Sequence, residues 1–357
     1  MASFAYTKYL TVLLILQITI APCQSFGSFK LPTFPWDKQS GEAAPVVNSN
    51  NKALQPGDTI AVIGASGNVG KLVTLRLSDT YNVNGIVRDA ASIQPFFEGR
   101  EDRIKLFEAN LLDEMDKLVN DSDVPFSCPE TLVEPLKNAN AIVICTGTTA
   151  FPTKAWTKSG EEGVTNDVLK ALVDNSFSIQ DAIASLDSQG LNTPNNVDAK
   201  SNQFIVKAWN DASNVLQKRI IMLSSIGVQR RETMPFPILN TCGVLDAKAV
   251  GEKAVQDSAK ENGFSYTIIR PGQLFGGPYD NNYYLGTLFQ LDKDAATQDV
   301  VFGKGDELLG DTLRSTLAEV TAQICEGDYA RDIDFAVVNE KGESPTTEIV
   351  QERLEAI

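Results

Sequence analysis

There is no histidine in the chain. That absence excludes imidazole as a general base, every histidine-containing catalytic triad and every histidine metal site. The five cysteines, Cys23, Cys128, Cys145, Cys242 and Cys325, are scattered and form no C-x-x-C pair. Neither a zinc site nor a disulfide scaffold is expected from such spacing. Cys145 lies in an apolar run and reads as a small buried hydrophobe. Bases are also scarce, 31 against 46 acids, for a net charge of -15. A chain this acidic is poorly suited to nucleic acid or to an anionic membrane surface. Any phosphate it binds is therefore expected to rest on backbone N–H groups and single cations. Long apolar runs are missing too. The longest candidate, Tyr9 to Ala21, is short for a membrane span and suits the apolar centre of a signal peptide.

The segment after that run reads as targeting rather than fold. Cys23 and Ser25 stand three and one positions before a cleavage point that leaves Phe26 first. A signal peptide over 1–25 and a phenylalanine-led segment over 26–56, rich in Ser, Pro and small residues, resemble the two-part presequences of algae with secondary plastids. Plastid import is the expectation. Secretion and a retained anchor are the alternatives, and the lack of a cysteine framework speaks against secretion. The remaining residues, 57–357, have the composition and length of one large α/β domain or two small ones. No internal repeat is visible.

The most informative stretch is Ile60-Ala-Val-Ile-Gly-Ala-Ser-Gly-Asn-Val-Gly70. An apolar strand runs into Gly64, Gly67 and Gly70, and an apolar-rich helix comes next. Gly64 suits a tight turn, Gly67 lets backbone approach a pyrophosphate, and Gly70 lets helix and strand pack closely. The helix start offers N–H groups and a positive dipole end to phosphate. Ser66, Asn68 and Val69 complete the loop. The strand-to-helix context makes this a dinucleotide motif rather than an ordinary glycine-rich turn.

Further strands are expected near 83–87, 104–110, 141–145, 219–223, 264–271 and 332–338, alternating with helices. This implies a doubly wound parallel sheet of the Rossmann kind with a small C-terminal substrate or lid region near 275–357. Arg88 ends the second strand, where a cation favours the 2′-phosphate of NADP and an acid favours NAD. The alternatives are a surface arginine, or a ribose contact from Asp89. Asp113 lies after the third strand, where related folds place an Asp near adenine; a helix N-cap is an equal reading. Thr146 and Gly147 lie after the fourth strand, and Gly147 allows close passage of the cofactor. Pro194, with Thr193 as cap, opens a helix. Between them, Ser159 to Gln189 carries helical runs of its own.

Together these pieces resemble a known family. Gly64 to Gly70, Val87-Arg-Asp89, Cys145 to Pro152, Asn192 to Asp198, Leu223-Ser-Ser-Ile-Gly-Val228 and Ile268-Ile-Arg-Pro-Gly272 are similar to atypical (extended-type) short-chain dehydrogenases/reductases. The resemblance is to the NAD(P)-binding, NmrA-like group of plastids and cyanobacteria. It implies that the glycine loop, Arg88, Thr146-Gly147, Ser224 and Pro271-Gly272 line an NADP site, NAD being the alternative. It also implies that 159–189 is an insertion beside the active-site mouth, either a lid, a partner surface or a surface elaboration.

The superfamily's reductases use a Tyr as proton donor, a Lys four residues on, and a Ser after the preceding strand. On that pattern Ser225 (or Ser224) takes the serine place and Lys248 the lysine place, where it also holds the ribose. The tyrosine place is Val244, which donates nothing. Tyr279, with Tyr283 and Tyr284 nearby, is the substitute candidate; aromatic packing under a loop is its simpler reading. Two functions are compatible with this pattern. One is an NADP-dependent oxidoreductase of a small or lipophilic plastid metabolite. The other is a catalytically silent NADP(H)-binding redox sensor or docking protein, engaging a protein partner through the insertion.

Overall fold

The computed structural model describes residues 53–119, 125–160, 163–276, 297–327 and 329–357. The presequence before residue 53 and the candidate donors Tyr279, Tyr283 and Tyr284 lie outside them.

The strands are β1 (Thr59–Ile63), β2 (Asn82–Val87), β3 (Ile104–Glu108), β4 (Ala141–Ile144), β5 (Arg219–Leu223), β6 (Ser265–Pro271), β7 (Gln273–Phe275), β8 (Asp299–Lys304), β9 (Asp311–Leu313) and β10 (Ile333–Glu340). Eight of them form one sheet in the order β3-β2-β1-β4-β5-β6-β10-β8. All neighbours are parallel except β8, which runs antiparallel to β10 at the edge. Residues of β4 and β5 are buried throughout, as parallel strands covered on both faces must be. The chain order reverses between β1 and β4, the position at which doubly wound sheets open a crevice for ligands.

Helices cover both faces. They are α1 (Gly70–Leu77), α2 (Ala90–Ile93), α3 (Leu111–Val119), α4 (Glu130–Lys137), α5 (Thr165–Asp174), α6 (Ile179–Ser188), α7 (Ser201–Ala212), α8 (Phe236–Leu239), α9 (Val244–Asn262), α10 (Arg314–Glu326) and α11 (Thr347–Glu355). Successive residues of β1 point to opposite faces. Ile60 and Val62 pack with Leu77, Leu317, Ile324 and Leu354. Ala61 and Ile63 pack with Leu132, Phe204, Trp209 and Val255. A separate apolar cluster around Trp156, Leu186 and Leu191 holds α5 and α6 together.

Two features depart from the sequence expectation. The helix expected to open at Pro194 begins as a π turn, Asn195–Lys200, before continuing as α7. The edge strand β8 and the three-residue pair β7 and β9 carry no legible periodicity and are defined only by their partners. Among the described residues no helix is long and apolar enough to cross a membrane.

Candidate cofactor site

The glycine loop lies at the β1–β4 crevice. A Cβ on Gly64 would lie 3.2 Å from the Thr146 nitrogen, so the loops after the two strands touch. A Cβ on Gly70 would sit 2.1 Å from the Gly64 carbonyl oxygen, so only glycine lets α1 start under this turn. Gly67 is exposed at the tip, with Ser66 and Asn68 half-buried beside it. The Val69 side chain is buried in the core, which leaves its backbone to face a ligand. No side chain caps the start of α1. The result is a backbone cradle at a helix N-terminus with its positive end outward, and it fits a pyrophosphate.

Arg88 is exposed at the end of β2. Its guanidinium donates to the Lys158 carbonyl at 3.4 Å and forms no ion pair among the described residues. The two nearby acids are engaged elsewhere. Asp89 accepts from the Ser92 N–H and caps α2, while Glu108 accepts from the Ala90 N–H. Among the described residues Arg88 therefore stands as a cation without a countercharge. Asp113 is exposed in the first turn of α3 and accepts from the Asn110 side chain at 2.8 Å. Asn110 itself accepts from the Leu112 N–H at 3.3 Å. Asn110, at the carboxyl end of β3, thus caps the helix and has Asp113 as its partner.

Below the loop after β4 lies a buried ion pair. The Lys248 ammonium on α9 stands 2.7 Å from Asp198 Oδ1 in the π turn. Asp198 is 0% exposed and Lys248 8%. The Thr148 N–H donates to the other Asp198 oxygen at 3.3 Å. A Cβ on Gly147 would lie 3.3 Å from Lys248 Nζ and 3.4 Å from Asp198 Oδ1. Thr146 Oγ1 is tied to the Asn202 side chain, and Asn202 donates to the Asp198 carbonyl. Burial pushes the Asp198 carboxyl up, and the Lys248 cation opposes the shift. The sequence alone assigns no role to Asp198 or Asn202. Fifty residues separate Asp198 from Lys248, so no linear spacing announces the pair.

The serines and the Pro-Gly turn are largely engaged by the protein itself. Ser224 is buried and donates to Glu252, which also binds the buried Arg270. Ser225 is half-buried and donates to the Ile226 carbonyl at 3.0 Å. Val244 packs with Val228, Phe236 and Leu245. Pro271 and Gly272 are both buried at the end of β6. The Gly272 N–H donates to Thr312 Oγ1 at 2.8 Å, and a Cβ there would meet the Gly310 carbonyl at 2.0 Å. Gly272 is therefore required by the β7–β9 junction itself. Among the described residues no cluster of acids and cysteines is grouped to hold a metal ion.

The residues flanking 159–189 are tied to the loop after β4. The Trp156 indole donates to the Thr149 carbonyl, Thr148 Oγ1 donates to the Asn192 carbonyl, and Asn192 donates to the Thr157 carbonyl.

A family model described as NAD(P)H-binding matches residues 64–326. The chain belongs to this NAD(P)H-binding family. The matched stretch begins at the first glycine of the loop and ends with α10. Solved structures share the fold at low identity. One is described as a putative NAD-dependent epimerase/dehydratase from Bacillus halodurans, 17% identical, covering 83% of this chain and 100% of that one, TM-score 0.51. Another is the oxidoreductase ylbE from Lactococcus lactis, also 17% identical, covering 84% and 96%, TM-score 0.51. A comparison with curated proteins found no match.

Proposed function

We propose that this NAD(P)H-binding protein is an NADP(H)-dependent oxidoreductase of the atypical short-chain dehydrogenase/reductase class, NmrA-like, acting in a plastid on a small or lipophilic carbonyl metabolite. The observation that carries the choice of NADP is Arg88, an exposed cation at the end of β2 whose neighbouring acids are turned to backbone N–H groups. The loop from Gly64 to Gly70 would hold the pyrophosphate, Arg88 the 2′-phosphate, and Thr146-Gly147 with Lys248 the nicotinamide ribose. When bound, the nicotinamide supplies hydride chemistry. The chain's part is to orient that ring over the β4 loop and to present the Lys248 ammonium beside it. The test is equilibrium binding of both cofactors. Arg88→Ala should weaken NADPH by roughly tenfold to a hundredfold, the worth of a charge-assisted hydrogen bond, and leave NADH little changed. Equal losses for the two would remove the 2′-phosphate assignment.

A second reading, an NADP(H)-binding protein that does no chemistry, is favoured by one observation. The position where a reductase carries its tyrosine is Val244, and it is packed in an apolar cluster. The insertion would then be the working surface, since Leu169, Val173 and Phe177 are exposed on it. NADPH oxidation across a broad carbonyl panel separates the readings. Turnover with any member supports the enzyme; tight binding without turnover supports the silent protein. Loss of that turnover in Tyr279→Phe would assign the donor. A fluorescent fusion of residues 1–56 tests plastid import against secretion.

A further inference from the structure

We propose that Asp198 is a positioning residue for the cofactor, holding the Lys248 ammonium aimed at the Gly147 loop. The inference rests on the reading that the nicotinamide ribose lies over Gly147 and Lys248.

The geometry is specific to this pair. Lys248 reaches Asp198 Oδ1 at 2.7 Å, and both groups lie within contact distance of where a Gly147 side chain would be. The other acids of α9 near Lys248 do not compete for it. Glu252, one turn on, is held by Arg270 and Ser224, and Asp246 is held by Arg231 and Asn240. Asp198 in turn is fixed on three sides. The Thr148 N–H donates to its second oxygen, Asn202 holds its carbonyl, and Gly251 of α9 lets that carbonyl come close. A Cβ on Gly251 would lie 2.6 Å from the Asp198 carbonyl oxygen. The π turn matters here. An α-helical start would rotate residue 198 away from its present direction, and such turns recur where a side chain is aimed by function.

Burial dictates the chemistry. An ammonium withdrawn from water without a countercharge is strongly disfavoured, and removal of one partner leaves the other in that state. Asp198 therefore keeps a cation where two ribose hydroxyls and a developing negative charge would need one. In Asp198→Asn the shape is retained and the countercharge is lost.

The experiment uses the full chain, NADPH as probe, and four proteins: the parent, Lys248→Met, Asp198→Asn and the double variant. Lys248→Met is expected to weaken NADPH by about tenfold, the scale of a lost charged hydrogen bond. Asp198→Asn is expected to weaken NADPH by several-fold, approaching Lys248→Met, because it keeps the shape and loses the countercharge. A merely structural role would be served by Asn, which keeps the size of Asp198 and an oxygen to accept from the Thr148 N–H. The double variant should match Lys248→Met, because Asp198 acts only through Lys248. If Asp198→Asn does not fold, the double variant, which leaves no unpaired buried charge, still decides the matter. Weaker binding by the double variant than by Lys248→Met overturns the proposal. So does parent-like binding by Asp198→Asn. Unchanged binding by Lys248→Met removes the underlying reading and the proposal with it, whereas a loss there with none in Asp198→Asn removes the proposal alone.

Discussion

Single residues decide how close backbone comes to backbone in this site. Gly70 is the sharpest case, because any side chain would overlap the Gly64 carbonyl at 2.1 Å, and that carbonyl belongs to the turn itself. Neither partner is a flexible side-chain end that moves aside. Gly70→Ala should therefore open the turn, lower stability by about 1–3 kcal/mol as overpacking does, and abolish NADPH binding. Melting temperature and a cofactor titration check both halves. Normal binding in that variant would mean the loop has slack that the geometry does not show. The role of Gly70 is legible in the sequence, since helix–strand packing is what the third glycine of the motif serves. Asp198 is the opposite case. Its neighbours in the chain give it no partner, and it acquires one only when α9 is laid against the π turn.

At the scale of elements, α9 and the π turn form the joint that carries Lys248. Gly251 is a helix-interior glycine, ordinarily unfavourable, and here it permits contact with the Asp198 carbonyl, the Asn202 side chain and Met222. Gly251→Ala should raise intrinsic helix propensity and yet destabilise the protein by about 1–3 kcal/mol, because the crowded contact outweighs it. It should also weaken NADPH, since α9 and Lys248 move off together. Denaturant unfolding and cofactor titration of the variant test this, and a stabilised protein would show that propensity wins. The regular elements are legible because buried parallel strands are continuous apolar runs, as in Ala141–Ile144. The π turn is not. Its bonding differs from an α-helix by one residue, while the same side chains suit both.

At the scale of the whole molecule, the four described cysteines are spread through the packed layers and none is paired. Burial pushes the Cys128, Cys242 and Cys325 thiols up to about 12. A thiol raised in the folded state contributes stability that is complete below the unfolded value of about 8.5 and is lost as pH climbs towards the folded one. The melting temperature should thus fall between about pH 9 and pH 12, and less steeply when all three are replaced by alanine or valine. A thiol reagent at neutral pH should leave these three unmodified until denaturant is added. Rapid labelling of the native protein would contradict their burial. Scattered cysteines without metal spacing are readable from the chain; how deeply each sits depends on the sheet's two helical layers.

By itself the sequence determined the alternation of strand and helix, the glycine loop at the first junction, the cation at residue 88 and the valine four residues before Lys248. These are local: each depends on residues a few positions apart, where periodicity and turn chemistry act. Tertiary structure alone decided what faces what. It brought the β1 and β4 loops into contact, gave Asp89 and Glu108 to backbone N–H groups, gave Ser224 to Glu252, and set Asp198 against Lys248 across fifty residues. Such pairings depend on the order in which strands enter the sheet and on how closely backbone can pack, and neither leaves a period in the chain.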